Sequence, residues 1–535
     1  MAPDTRQENQ PILSYVSSPT KIKTAKAKDA AEINKNNNNN NYETKTVLRQ
    51  YFSNSNGVLA QCLVTGSILI LTAGAGMPIG YSAVLLPQLA ENNGTLHADS
   101  ELGSWIASVH SLVSPLGSLL SGPLLDVIGR RGCLQLSSIP LCIGFAVIGM
   151  AKSIPCILAG RLIAGFAVGL VAVPAQVLIG EMADPGLRGL LVGIPFAAYS
   201  MGILFVYILG ATFSWETVAF CGTALPLLAL LTLSLIPESP AWLVKRRRID
   251  AAKKALLWLR GGDIVQVNTE IALLEARAKA DVARISSTAS LSQQATSAIS
   301  KILNPGVLKP LAIINIFNFL QILSGTYVIV FYGVNIISKL GGDSVDKYMA
   351  AVVTAAIRFL FCLVCCVLLL KVGRRPLGII SAIGTAVTCL ILAGYMLAKK
   401  ENSTVDAYVI GFCLLMYVAA NTIGLMSLPG VMLGELLPLR ARGIGGGSTF
   451  FIFNLLIFSL TKLFPLITER VGITGVFTIF GASALLESVF VYVALPETKG
   501  RSLQQIEDYF QQGNVLWVTR KREPKSNDGL TIVNV

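Results

Sequence analysis

The chain has 535 residues, of which 53% are apolar and only 14% charged, with mean hydropathy +0.63, far from the balance of a soluble globular protein. Its net charge of +13 would suit nucleic acid if it formed a patch, but the basic residues are spread as short punctuation between long apolar runs, which points to a lipid bilayer instead. Two histidines, His97 and His110, and ten cysteines lying almost entirely inside apolar runs, such as Cys362, Cys365 and Cys366, argue against a metal site, and no nucleophile–base constellation suggests an enzyme. Catalytic residues, metal ligands and cofactors are therefore all expected to be absent.

In chain order, residues 1–56 are polar, carry the run Asn36 to Asn41, and read as a disordered tail. No cleavable signal is evident, because the first apolar stretch begins late and is long enough to span. Twelve apolar stretches follow, near 58–80, 103–125, 133–151, 154–178, 189–210 and 215–236, then 310–337, 347–370, 376–398, 406–433, 443–466 and 472–495, each close to the ~20 residues that cross a bilayer core as a helix. The expected architecture is an all-α membrane protein of twelve transmembrane helices in two pseudo-symmetric six-helix bundles, 57–236 and 310–496. A linker at 237–309 joins them, with short cytoplasmic helices at Ile249–Arg260 and Thr269–Arg284 and a loose stretch at Ser286–Ser300. A cytoplasmic tail occupies 497–535 and should be mobile after Asp508.

The two bundles read as a duplication, because three landmarks recur in one order. Gly129-Arg130-Arg131 is matched by Gly373-Arg374-Arg375; Glu181 through Arg188-Gly189 is matched by Glu435 through Arg442-Gly443; Pro237-Glu238-Ser239 is matched by Pro496-Glu497-Thr498. Arginine suits a bidentate clasp on a carboxylate better than lysine does. Asp126, Arg130, Arg131, Glu181, Arg188 and Glu238, with Arg374, Arg375, Glu435, Arg442 and Glu497, are thus candidates for a cytoplasmic salt-bridge network that gates the molecule, facing one another when that side is shut. The alternative is that these arginines only hold loops inside. Asp126 is matched by Leu370 in the second half, so a weaker or rewired clasp is expected there.

Basic residues on alternate loops place both termini in the cytoplasm by the positive-inside rule. Two sequons, Asn93-Gly94-Thr95 and Asn402-Ser403-Thr404, fall on loops of the opposite side and are glycosylation candidates.

Together with Gly160-Arg161, Pro240, Gln321, Ser324-Gly325, Phe331-Tyr332 and Lys499-Gly500, these motifs resemble the sugar-porter branch of the major facilitator superfamily over roughly residues 58–510. Leu86-Pro87-Gln88-Leu89 and Gly103-Ser104-Trp105-Ile106-Ala107-Ser108 further resemble the facilitated trehalose transporter-like group of insects. The resemblance implies a sugar site between the two bundles, reached alternately from each side, and a place for Arg161 in the central or gating network.

Departures from the family pattern cluster where that site is expected. In the seventh span Gln-Gln-x-Ser-Gly-Ile-Asn becomes Gln321-Ile322-Leu323-Ser324-Gly325-Thr326-Tyr327; in the tenth, Pro-x-Pro-Trp becomes Ser427-Leu428-Pro429-Gly430; a fifth-span Gln aligns with Phe196. Gln321, Ser324, Tyr327 and Asn454 remain as candidate sugar contacts, although Ser324 could instead bond its own helix and Tyr327 line an outer gate. Arg358 lies deep in the eighth span, where a charge is costly unless it meets a wet cavity or a partner. It either faces an anionic or highly polar substrate or a counter-ion, or else pairs with Glu487 or snorkels. The first span has no carboxylate and carries Ser82 near its Gly-Tyr, which favours uncoupled diffusion, since the resemblance implies an acid there in proton-coupled porters.

The expected activity is facilitative sugar uniport by alternating access, with trehalose or glucose as candidates, in the plasma membrane, a monomer being sufficient. The competing readings are a carrier of a non-sugar polar or anionic solute and a transport-deficient sensor.

Overall fold

A computed structural model describes residues 55–91, 96–285, 305–341, 346–398, 404–437, 442–499, 503–511 and 516–518. The first half begins with α1 (Ser55–Ala90), α2 (Ser100–Ile128), α3 (Arg130–Gly149), α4 (Ile154–Met182) and α5 (Pro185–Thr212). It closes with the short pair α6 (Trp215–Gly222) and α7 (Ala224–Leu235). The linker folds as α8 (Pro240–Lys245), α9 (Ile249–Leu259) and α10 (Ile264–Ile285). In the second half follow α11 (Pro305–Leu323), α12 (Val328–Gly341), α13 (Lys347–Lys371), α14 (Arg374–Ala398), α15 (Thr404–Thr422), α16 (Leu428–Leu436) and α17 (Arg442–Val493). A terminal α18 spans Leu503–Gln511.

Among the described residues, ten helical segments are long and apolar enough to cross a membrane. The last runs 49 residues and breaks at Gly472, where φ is 69°, into two crossings. A shorter apolar helix at Asp406–Thr422, continued by α16, supplies the remaining one, so twelve crossings result. The fold class read from the sequence is borne out. The sequons at Asn93 and Asn402, the stretch at Ser286–Ser300 and the N-terminal tail lie outside the described residues.

Large apolar side chains such as Leu231, Leu235, Ile380 and Phe412 face outward, where acyl chains would cover them. Inside, small residues set the spacing. A Cβ on Gly165 or Gly169 of α4 would fall on the backbone carbonyls of His110 and Ser114 in α2, so these helices touch through their backbones.

Two elements differ from expectation. Helix α10 starts at Ile264 rather than Thr269. The segment after Asp508 is also not wholly free: Phe510 and Trp517 are buried, and Trp517 N–H donates to the Val493 carbonyl at 2.9 Å. Tyr509 stacks beside Trp517 at 5.3 Å between ring centroids. Three aromatic rings within nine residues give this polar tail an apolar face that docks on the base of the second half, a feature its mean composition hides.

Candidate functional site

At the end carrying the Gly-Arg-Arg turns, each half builds the same clasp. In the first half, Arg130 grips Glu181 bidentately, Nη2 to Oε1 at 2.8 Å and Nε to Oε2 at 2.9 Å, and donates through Nη1 to the Leu125 carbonyl at 3.1 Å. Glu238 caps the start of α3, accepting from the backbone N–H groups of Arg130 and Arg131 at 3.0 Å each and of Gly132 at 3.3 Å. A carboxylate there satisfies donors that the helix leaves unpaired and meets the positive end of its dipole. Gly129 is required twice over: its φ is 90°, and a Cβ would run into the Glu238 carboxylate. The Arg131 guanidinium reaches the Ile236 carbonyl at 2.8 Å, and Ser239 Oγ donates to Glu181.

The second half repeats the main contacts, losing one cap because Pro376 stands where Gly132 does. Arg374 holds Glu435 at 2.7 and 3.1 Å and the Leu369 carbonyl at 3.2 Å. Glu497 caps α14 through Arg374 N at 3.0 Å and Arg375 N at 3.2 Å. Thr498 stands for Ser239, donating to Glu435 at 2.5 Å, and Arg375 donates to the Tyr492 carbonyl.

Arg130–Glu181–Glu238 and Arg374–Glu435–Glu497 each close within one half. One expectation needs correction: the loss of the acid at Leu370 does not weaken the second clasp. Its counterpart Asp126 lies 3.9 Å from Arg130, is 61% exposed, and pairs instead with Lys245 of α8 at 2.9 Å. Such an exposed pair is worth at most about 1 kcal/mol. Arg188 and Arg442 lie where side chains fall outside the described residues.

Midway along the bundle, two helices of the second half are broken at one level. Residues 324–327 separate α11 from α12, with Gly325 at φ 87°, and residues 423–427 separate α15 from α16. Unwound backbone inside a membrane needs internal partners, and a polar cluster supplies them. Tyr417 Oη donates to the Ser324 carbonyl at 2.7 Å, Asn421 Nδ2 to Ser324 Oγ at 3.2 Å, and Thr326 Oγ1 to Asn421 Oδ1 at 2.8 Å. Ser324 also donates to the Gln321 carbonyl at 2.7 Å, so its hydroxyl serves its own helix end. Arg358 Nη2 donates to the Thr326 carbonyl at 3.0 Å, and Nη1 meets Met426 Sδ at 3.4 Å.

Arg358 is buried but has no pairing with Glu487, whose two oxygens are buried without a hydrogen-bond partner among the described residues. Gln321 is buried with neither end of its amide in a hydrogen bond of normal geometry, the Tyr327 hydroxyl lying within electrostatic reach. Tyr327 packs edge-on against Phe453 at 5.5 Å. Asn454 donates to the Phe450 carbonyl at 2.9 Å, one turn back on its own helix. The structure thus gathers Gln321, Ser324, Tyr327 and Arg358 around one break. Asn421, Thr326 and Tyr417 were not singled out from the sequence. Asn421-Thr422 inside an apolar run was the available signal, since an amide at that depth needs a partner.

Arg161 lies apart from both clasps. It is fully buried in the first half and donates to the carbonyls of Pro78, Ile106 (3.0 Å) and Ala107 (3.3 Å) and to Ser82 Oγ, tying α4 to α1 and α2. All of its acceptors are neutral.

The halves meet along α2 with α17, α5 with α13 and α1 with α12. On the Gly-Arg-Arg side of Arg358, a Cβ on Gly430 of α16 would come within 2.6 Å of the Phe196 ring of α5. Two departures from the family pattern therefore sit against each other across the seam. At the opposite end, Lys462 Nζ donates to Ser104 Oγ at 2.7 Å and lies 4.2 Å over the Trp105 ring, Tyr207 Oη donates to the Val330 carbonyl at 2.7 Å, and Lys347 pairs with Glu91 at 2.5 Å. The last pair is 30% and 62% exposed. Lys347→Ala should shift the balance of open and closed forms by no more than about 1 kcal/mol, a transport change within about fivefold that shrinks further in high salt. Uptake measured at two ionic strengths checks this.

Related halves, a seam between them and helices broken at mid-depth define the major facilitator fold. The proton:xylose symporter XylE bound to 6-bromo-6-deoxy-D-glucose superposes with TM-score 0.66 at 22% identity, over 83% of this chain and 99% of that one. An inward-open form of XylE from E. coli gives 0.65 at 20% identity, with the same coverage. The family model Sugar (and other) transporter matches residues 72–510, and the chain belongs to that family.

Among its relatives, the facilitated trehalose transporter Tret1 of Anopheles gambiae is 32% identical over 473 residues, 87% of this chain and 58% of that protein. Tret1 of Drosophila erecta is 31% identical over 86% of this chain and 53% of its own length. The chain thus spans a little over half the length of these relatives. It covers 92% of a Tret1-2 homolog of Drosophila sechellia at 30% identity.

Proposed function

We propose that the protein is a facilitative carrier that moves a sugar down its gradient by alternating access, as one chain. We place it in the plasma membrane with both termini in the cytoplasm. Its relatives named as facilitated trehalose transporters make trehalose or glucose the first candidates. The observation that carries the reading is the pair of helices broken at one level in the second half, where Gln321 lies beside the polar cluster of Ser324, Thr326, Tyr417 and Asn421, and Tyr327 comes within electrostatic reach of Tyr199 in the first half. Hydroxyls stripped of water need replacement bonds, each worth about 1–3 kcal/mol if left unmade, and the buried Gln321 amide beside the Tyr327 hydroxyl can supply them.

Arg161 supports movement without proton coupling. Its guanidinium is taken up by Ser82 and by carbonyls, and the first span holds no carboxylate to exchange a proton against it. The test is uptake of labelled trehalose and glucose into proteoliposomes containing the purified chain. Saturable entry that is unchanged when a protonophore collapses the pH gradient is the expected result. Accumulation above equilibrium under an imposed proton gradient would overturn the uncoupled reading, and absence of any sugar flux would overturn sugar carriage.

A further inference from the structure

Independently of what the carrier moves, we propose that the corner between α8 and α9 binds the headgroups of anionic phospholipids, on the bilayer face that carries the Gly-Arg-Arg turns.

Residues 245–254 hold six cations, Lys245, Arg246, Arg247, Arg248, Lys253 and Lys254, against one acid, Asp250, and all seven are exposed. Hydrogen bonds hold this corner at the bilayer boundary. Lys245 pairs with Asp126 at 2.9 Å, and the Arg246 guanidinium donates to the Asp126 and Val127 carbonyls at 2.8 Å each. The Trp242 indole N–H donates to the Asp126 carbonyl at 3.0 Å. Those carbonyls lie in the last turn of α2, which ends on the exposed apolar side chains of Val127 and Ile128. At the other end of α9, a Cβ on Gly57 of α1 would come within 3.2 Å of the Leu259 carbonyl, and Leu59 and Leu63 beyond it are exposed. Acyl chains that cover these apolar ends give way to headgroups within reach of a lysine or arginine side chain.

The protein itself does little to neutralise the cluster. Arg246 is held by carbonyls and lies 5.4 Å over the Trp242 ring. The side chains of Arg247, Arg248, Lys253 and Lys254 carry no hydrogen bond or ion pair among the described residues.

Keeping a loop on one side of the membrane requires cations somewhere along it, but that does not explain Arg247. With φ at 60°, it is the only non-glycine residue among those described in the left-handed region. Its N–H donates to the Val244 carbonyl and that of Arg248 to the Leu243 carbonyl, both at 2.9 Å, the helix ending in which glycine ordinarily takes this place. Glycine would close α8 without strain, so what arginine adds at 247 is charge. Between two further arginines that charge increases repulsion within the corner, and phosphate oxygens of a lipid relieve it by accepting from several guanidinium groups at once.

The test is thermal melting of the full chain in phosphatidylcholine–detergent micelles with and without added phosphatidylserine, at two ionic strengths. Phosphatidylserine is expected to stabilise wild type, with an apparent affinity that falls as salt rises. Arg247→Gly/Arg248→Gln should weaken that affinity by about twentyfold, roughly fivefold for each cation removed. In phosphatidylcholine alone the same variant should melt no lower than wild type, because glycine relieves the left-handed backbone. Arg277→Gln/Lys279→Gln, which takes equal charge from α10, should keep the wild-type response. Equal weakening by both double variants overturns a localised site. No stabilisation of wild type by phosphatidylserine overturns lipid binding, and equal stabilisation by inorganic phosphate overturns the lipid as the ligand. Should Arg247→Gly/Arg248→Gln melt early without acidic lipid, Lys253→Gln/Lys254→Gln on the exposed face of α9 decides in its place.

Discussion

Replacing Arg130 by Ala should lower transport by about tenfold or more and lower the melting temperature as well, and Arg374→Ala should do the same to a similar degree. Each arginine joins three pieces of its half: the carboxylate of Glu181 or Glu435, the carbonyl of Leu125 or Leu369, and, through its own N–H, the capping acid Glu238 or Glu497. The side chains of the two pairs are only 14% and 21%, and 18% and 26%, exposed. Removing the cation leaves an acid largely desolvated and held by one hydroxyl, Ser239 or Thr498, at a cost of about 2–4 kcal/mol once partial solvent screening is allowed for. Lysine restores charge but not the bidentate fork, so Arg130→Lys should recover part of the loss. Asp126→Asn should change little. Uptake kinetics beside thermal melts check all four variants. A mild Arg374→Ala with a severe Arg130→Ala would show that the mirrored contacts are not equivalent in the working cycle.

Gly430→Trp, which restores the residue the family pattern carries, should cut transport by about tenfold or more, and Phe196→Ala in the same chain should recover much of it. A Cβ at 430 already meets the Phe196 ring at 2.6 Å, so an indole there has no room. Overpacking of this kind costs about 1–3 kcal/mol, and here it acts between the halves, on a contact that the proposed rocking has to form and release. Its effect should therefore fall on turnover more than on folding. The check is uptake by both single variants and the double variant at matched surface expression. Full activity of Gly430→Trp alone would mean that the two residues do not meet during transport.

The apolar spacing, the recurring landmarks and the polarity of the loops were enough to read twelve crossings and two related halves, because the bilayer imposes span length and the positive-inside pattern locally. The clasp residues were legible for the same reason, since Gly-Arg-Arg and Pro-Glu-Ser/Thr are contiguous. So were the acids that join them; what was not legible was which of these carboxylates caps a helix, because a cap supplied from more than a hundred residues away, as Glu238 does for α3, leaves no periodic trace. Arg161 shows the same limit: its Gly-Arg setting marked it as special, but only the packing of α1, α2 and α4 shows that its acceptors are neutral.

By itself, then, the amino-acid order determined that this chain crosses a membrane as a duplicated helical bundle, and that unusual residues cluster at mid-depth. The tertiary structure decided that both clasps close within their own halves, that Phe196 and Gly430 share one space across the seam, and that Arg358 goes without the acid of Glu487. Spans are set by the lipid, one segment at a time. Ion pairs and ring contacts are set by angles and distances between segments, which exist only once the helices have packed.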